Sequence, residues 1–78
     1  MKKLEKVKVG DRLTRMLGGK IPVEVIVGRI DEKFVYTSSA DGVIPLEEGW
    51  KFLISTGGEV DEDLGWDGLT HTGSYIKL

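Results

Sequence analysis

Cysteine is absent from the 78 residues, histidine occurs once, proline twice, and apolar runs stop after three residues. Without cysteine no disulfide can staple the fold, and no thiolate can bind zinc or act as a nucleophile. No run approaches the ~18 apolar residues of a membrane-crossing helix. The opening Met1-Lys2-Lys3 has the basic start of a signal peptide, but no apolar stretch follows it, so a cytoplasmic protein of bacterial type is expected. The sole histidine, His71, lies between Thr70 and Thr72 and ahead of Gly73, in an expected loop. General-base work would need it beside a nucleophile and an orienting carboxylate. Ser38, Ser55 and Ser74 stand at no spacing that provides this, so His71 reads as a surface or capping residue and no enzyme is expected.

What the chain does have is glycine, 11 residues of it, and charge of both signs unevenly placed. Residues 1–29 hold eight basic and three acidic side chains, and residues 30–78 hold three basic and ten acidic, against a net charge of −2. In one small domain the two halves fold onto each other, so part of this asymmetry cancels and the rest polarises the surface. Residues 1–78 are too few for more than one domain. A chain of this length without staples relies on an efficient core or on self-association, which leaves a homodimer open.

The glycines fall between short apolar segments, the punctuation of an all-β domain. Lys6–Val9 alternates polar and apolar as a strand would, and Gly10-Asp11 turns the chain into Arg12–Leu17. Gly18-Gly19 fits a two-residue hairpin turn, whose central positions favour positive φ. Ile21, Val23, Val25 and Val27 then share one face at period two. Arg29 and Ile30 break that parity, and Gly28 marks the break, which predicts a bulge. Pro22 near the strand start suggests an edge or a position without a ladder bond.

Further strands are expected at Phe34–Thr37, Trp50–Ile54 and Ser74–Leu78, with Val43-Ile44 as a short extended piece. Pro45–Gly49 fits one helical turn. Asp61–Gly65 fits a second, with Asp61 as its N-cap and Gly65 as its close. Five to six short strands with one or two helical turns point to a small SH3-like barrel.

Gly10–Pro22, then Thr56-Gly57-Gly58-Glu59-Val60-Asp61-Glu62-Asp63-Leu64-Gly65-Trp66, then Thr72-Gly73-Ser74 carry a resemblance to a group of small uncharacterised bacterial proteins. It covers most of residues 7–76, and Ser38–Glu48 departs from the group as an added loop and turn. The resemblance implies a small self-contained domain. It implies no activity, substrate or cofactor.

Asp61, Asp63 and Asp67 with Gly65 and Gly68 superficially match a calcium loop. Gly65 stands where a third side-chain oxygen belongs, and the twelfth position is Thr72 rather than a bidentate glutamate. A helix-capping acidic turn is the better reading, with no metal and no cofactor. Glu47-Glu48 and Asp61–Asp63 could pair carboxylates for glycoside chemistry only in a deep cleft, which a domain this size rarely forms. Trp66 either plugs the barrel end or stands half-exposed among Asp61, Glu62, Asp63 and Asp67, able to grip a basic segment. The expected function is a non-enzymatic protein- or peptide-interaction module centred on those five residues. The alternative is a nucleic-acid-binding barrel using Arg12, Arg15, Lys20 and Arg29. An isoelectric point near 5.3 opposes a phosphate footprint.

Overall fold

A computed structural model describes residues 2–70 and 73–78. The described residues form seven antiparallel strands curled into a half-barrel: β1 (Arg12–Leu17), β2 (Ile21–Ile30), β3 (Phe34–Ser39), β4 (Trp50–Leu53), β5 (Glu59–Asp61), β6 (Trp66–Asp67) and β7 (Tyr75–Lys77). The sheet order is β6-β5-β4-β3-β2-β1-β7, so a six-strand meander ends with β7 returning to the outer side of β1. The curl closes where Tyr75 bridges Gly58. There the Glu59 amide donates to the Ser74 carbonyl at 2.9 Å and the Ile76 amide to the Gly57 carbonyl at 2.8 Å.

β2 carries the expected bulge. Val27 faces Thr37 across the ladder while Arg29 faces Tyr36, so Gly28 is the extra residue. The bulge turns Ile30 toward the core and leaves Arg29 outside, its guanidinium 4.0 Å over the Tyr36 ring. Pro22 lies in the part of β2 that pairs with β1 alone, where one side of the strand has no ladder to complete.

Val25, Val27, Val35, Phe52, Ile54 and Ile76 fill the curl, with Leu4 closing one end. Trp50 is partly buried against them on the Phe52 face, as the alternation in that strand predicts. Leu4 is held by its amide donating to the Ile54 carbonyl at 2.9 Å and is 2% exposed. Leu4 falls outside the alternating Lys6–Val9 segment, so the sequence pattern gives no reason to single it out.

Four local expectations are corrected. Lys6–Val9 joins no ladder and leads into β1 as an approach with turns at both ends, and Val43-Ile44, expected as a short extended piece, is a bend. Leu17 pairs with Ile21, so the first hairpin loop has three residues, Gly18, Gly19 and Lys20, with both glycines at positive φ. Among the described residues only Leu46–Glu48 is helical, as a 3-10 turn. Asp61–Gly65 is instead the loop of the β5–β6 hairpin, and its capping chemistry survives. The Asp61 carboxylate accepts from the amides of Asp63 at 3.0 Å and Leu64 at 3.3 Å, and Gly65 at φ 73 completes the reversal. Two additional strands, β5 and β6, flank this loop, which raises the count above the expected five to six.

Candidate functional site: an apolar groove beside the acidic hairpin

The register places alternate residues of β3, β4 and β5 on the outer face of the sheet. Val35 and Phe52 pair on the core side, so Phe34 with Leu53 and Tyr36 with Lys51 face outward. Val60 pairs with Lys51 and with Asp67 and continues that outer face. Phe34, Val60 and a Leu53 that is only 5% exposed line a groove of about 580 Å³, joined by Trp66, whose β6 register is opposite to that of Asp67, and by Leu69 from the loop beyond β6. A charged rim surrounds it: Lys2, Glu32 and Lys33 near the N-terminal segment, Glu62 and Asp67 near the β5–β6 hairpin.

Each wall is held by a carboxylate bonded to its own turn. Asp31 accepts from the amides of Lys33 at 2.9 Å and Phe34 at 2.8 Å, and from the Tyr36 hydroxyl at 2.8 Å, fixing where Phe34 starts. Those three donors hold the Asp31 carboxyl below the ordinary aspartate value, and the same bond raises the Tyr36 phenol. On the far wall Asp67 accepts from the amides of Leu69 at 2.8 Å and Thr70 at 3.1 Å, which lowers its pKa and positions Leu69. Glu62 is also lowered, first by its own backbone amide and then by the Lys51 ammonium 3.2 Å away.

Trp66 is half-buried, between the two expected extremes. Its indole rests on Gly73 so closely that a Cβ there would collide with the ring. It is one wall of the groove rather than a plug through the core. Of the five residues expected to form the site, Glu62, Trp66 and Asp67 line the groove, Asp61 lines a neighbouring hollow and Asp63 lines neither, and the four carboxylates are differently employed. Asp61 and Asp67 bond their own turns, and Glu62 pairs with Lys51, while Asp63 is fully exposed with its carboxylate in no ion pair among the described residues.

The basic set is corrected. Arg15 is 6% exposed, its Nε donating to Glu59 Oε1 at 2.8 Å and its guanidinium 4.4 Å over the Trp50 ring. Burial pushes the Glu59 carboxyl up, and the Arg15 contact holds back part of that rise. Arg15 alternates with Leu13 and Leu17 along β1, a signal that it shares their face. Arg12 pairs with Glu24, and Lys20 stands at the far end of the same hairpin. Arg29 lies on Tyr36, so these four residues make no single basic surface.

A second hollow of about 300 Å³ beside the 3-10 turn brings Glu47, Asp61 and Glu62 near Tyr36, Trp50 and Lys51. Among the described residues no group of three His, Asp or Glu side chains could hold a metal ion, and no helix is long and apolar enough to cross a membrane. His71 and Thr72 lie outside the described residues. Set against known protein families, curated proteins and solved structures, the chain matches none.

Proposed function

We propose that this domain is a non-enzymatic protein- or peptide-interaction module that works through the groove between Phe34 and Trp66. The observation carrying this reading is the outward placement of an apolar floor on a rigid sheet. Phe34, Val60 and Trp66 stay partly exposed and Leu69 is 65% exposed around a Leu53 that is only 5% exposed, and a rimmed apolar patch of this kind suits a partner. The two self-bonded turns, at Asp31 and Asp67, fix both walls in advance, which reduces the ordering a partner would have to impose. The acidic hairpin favours a partner whose contacting segment is basic.

A displayed library of random peptides, panned against the domain, tests this. Sequences joining Lys or Arg to an aliphatic or aromatic anchor should be enriched. Leu69→Asp, on a side chain 65% exposed, should cut their binding about tenfold or more while leaving the melting temperature nearly unchanged. Trp66→Ala should reduce binding further and cost about 2 kcal/mol of stability, below the 3–5 of a fully buried aromatic. Enrichment that is blind to charge and unaffected by both variants would overturn the reading.

A further inference from the structure

The charges around the groove are sorted by end, and this bears on what fills it. At the hairpin end stand Asp67, which lines the groove, and Asp63 in the adjoining loop between the lining residues Glu62 and Gly65, with Glu62 already bound to Lys51. At the opposite end stand Lys2 and Lys33. Lys33 is held there by its carbonyl, which accepts from the Ile54 amide at 2.9 Å, and the N-terminal segment by the Lys3 amide donating to the Ser55 carbonyl at 3.2 Å. Lys2 and Lys33 form no ion pair among the described residues, and Glu32 beside them offsets only part of their charge. The rest of the lining is apolar, with Val60, Leu69, a largely buried Leu53 and Phe34, over whose ring the Lys33 and Lys51 ammonium groups lie at 5.5 and 5.0 Å.

A patch that is positive at one end, negative at the other and apolar between is complementary to itself. A two-fold axis through its middle reverses one copy against the other. Lysines then meet carboxylates twice, and apolar floor meets apolar floor, as an isologous interface requires. We infer that the occupant of the groove is a second copy of this chain, joined in such a two-fold dimer. The inference rests on the groove being the interaction surface, and it identifies the basic segment expected there as the partner's Lys2 and Lys33 end.

The molecule is small enough for this to matter. A standard interface takes about 800 Å² from each partner, a substantial share of a total surface of 5033 Å². To reach that area the contact must extend beyond the groove, where Leu69 is 65% exposed, onto the adjoining hairpin loop, where Leu64 is 59% exposed. A chain without a disulfide to staple it gains most from such cover.

Sedimentation equilibrium of the full chain, from micromolar to sub-millimolar concentration and at low and high salt, reads the outcome. The expected result is a mass rising from 8.6 kDa toward twice that value, with weaker association as salt rises. Lys33→Glu and Asp63→Lys should each weaken the dimer about tenfold or more, because each sets like charges opposite one another twice. Combined in one chain they should restore it, since the pairs are then merely exchanged, and Leu69→Asp should abolish it. A chain that stays monomeric throughout overturns the dimer. If that monomer still binds basic displayed peptides in the groove, the interaction reading stands without the dimer. A dimer indifferent to Leu69→Asp and to both charge reversals overturns the proposed face. If basic peptides also fail to bind, the interaction reading falls with it.

Discussion

Arg15 and Glu59 show how one residue pair can govern a domain of this size. Their side chains are 8% and 2% exposed, so each ion has lost most of its hydration and depends on the other. Removing one partner leaves a buried charge without a counterion, which is costlier than removing both. Arg15→Met is therefore expected to cost about 3–5 kcal/mol, a large part of the ~4–12 kcal/mol available to a chain this long. Arg15→Met with Glu59→Leu should recover most of that loss. A double-mutant cycle from urea melts checks this, and simple additivity of the two losses would refute it. The pair also shows where reading the sequence stops short. Arg15 alternates with Leu13 and Leu17, which marks its face, yet its partner is 44 residues away and only the curl brings the two together. A charged residue on an apolar face reads as an exception until its counterion is located.

Within the elements, local chemistry predicted local structure and missed what depends on neighbours. The parity break at Gly28 announced the β2 bulge, and Asp61 capped its turn as its residue type suggests. The turn is a hairpin loop rather than a helix because β5 and β6 pair across it, and strands of three and two residues carry almost no periodicity. The groove was hidden for a related reason. Phe34, Leu53, Val60, Trp66 and Leu69 come from separate segments, brought together by the β3–β4–β5 register and by the loop that Asp67 holds after β6; Trp66 and its acidic neighbours are the part visible in the sequence. Two glycines permit a test of how tightly the elements meet. A Cβ at Gly49 would strike the Thr37 carbonyl oxygen, part of the backbone, whereas a Cβ at Gly28 would approach Leu46 Cδ1 at 2.8 Å, the end of a flexible side chain. Gly49→Ala should lose about 1–3 kcal/mol as β3 and the 3-10 turn are forced apart. Gly28→Ala should lose less than about 1 kcal/mol, since Leu46 can turn aside and the unfolded chain loses entropy. Thermal melts that rank the two variants the other way would refute this account of the packing.

For the whole molecule, acid response is set by opposing carboxylates. Asp31, Asp41, Glu62 and Asp67 all have lowered values, Asp41 chiefly through the Val43 amide. Their contributions are full above the unfolded values and drain away as pH falls through the folded ones. Glu59 runs the other way: its raised value gives a contribution complete below the unfolded value and lost as pH rises through the folded one. Stability should therefore rise slightly from neutral into mild acid and fall below about pH 4, near the ordinary carboxylate range. In urea melts across that range, Asp67→Asn should make the acid fall shallower and Glu59→Gln should remove the rise. A monotonic profile that neither variant alters would sink this assignment. The bulge at Gly28 also constrains how the whole chain can change in length. Before it, odd-numbered residues of β2 face the core; after it, even-numbered ones do. Because Gly28 is the extra residue, deleting it would leave Arg29 opposite Tyr36 and Ile30 opposite Val35 and lose only the bend, whereas deleting a paired residue such as Ile26 would turn one side of the strand over and forfeit side-chain parity. Between Ser39 and Pro45, which no ladder counts, residues can be gained or lost without that penalty. Variation in length belongs in that loop, and the paired residues of β2 have to keep their count.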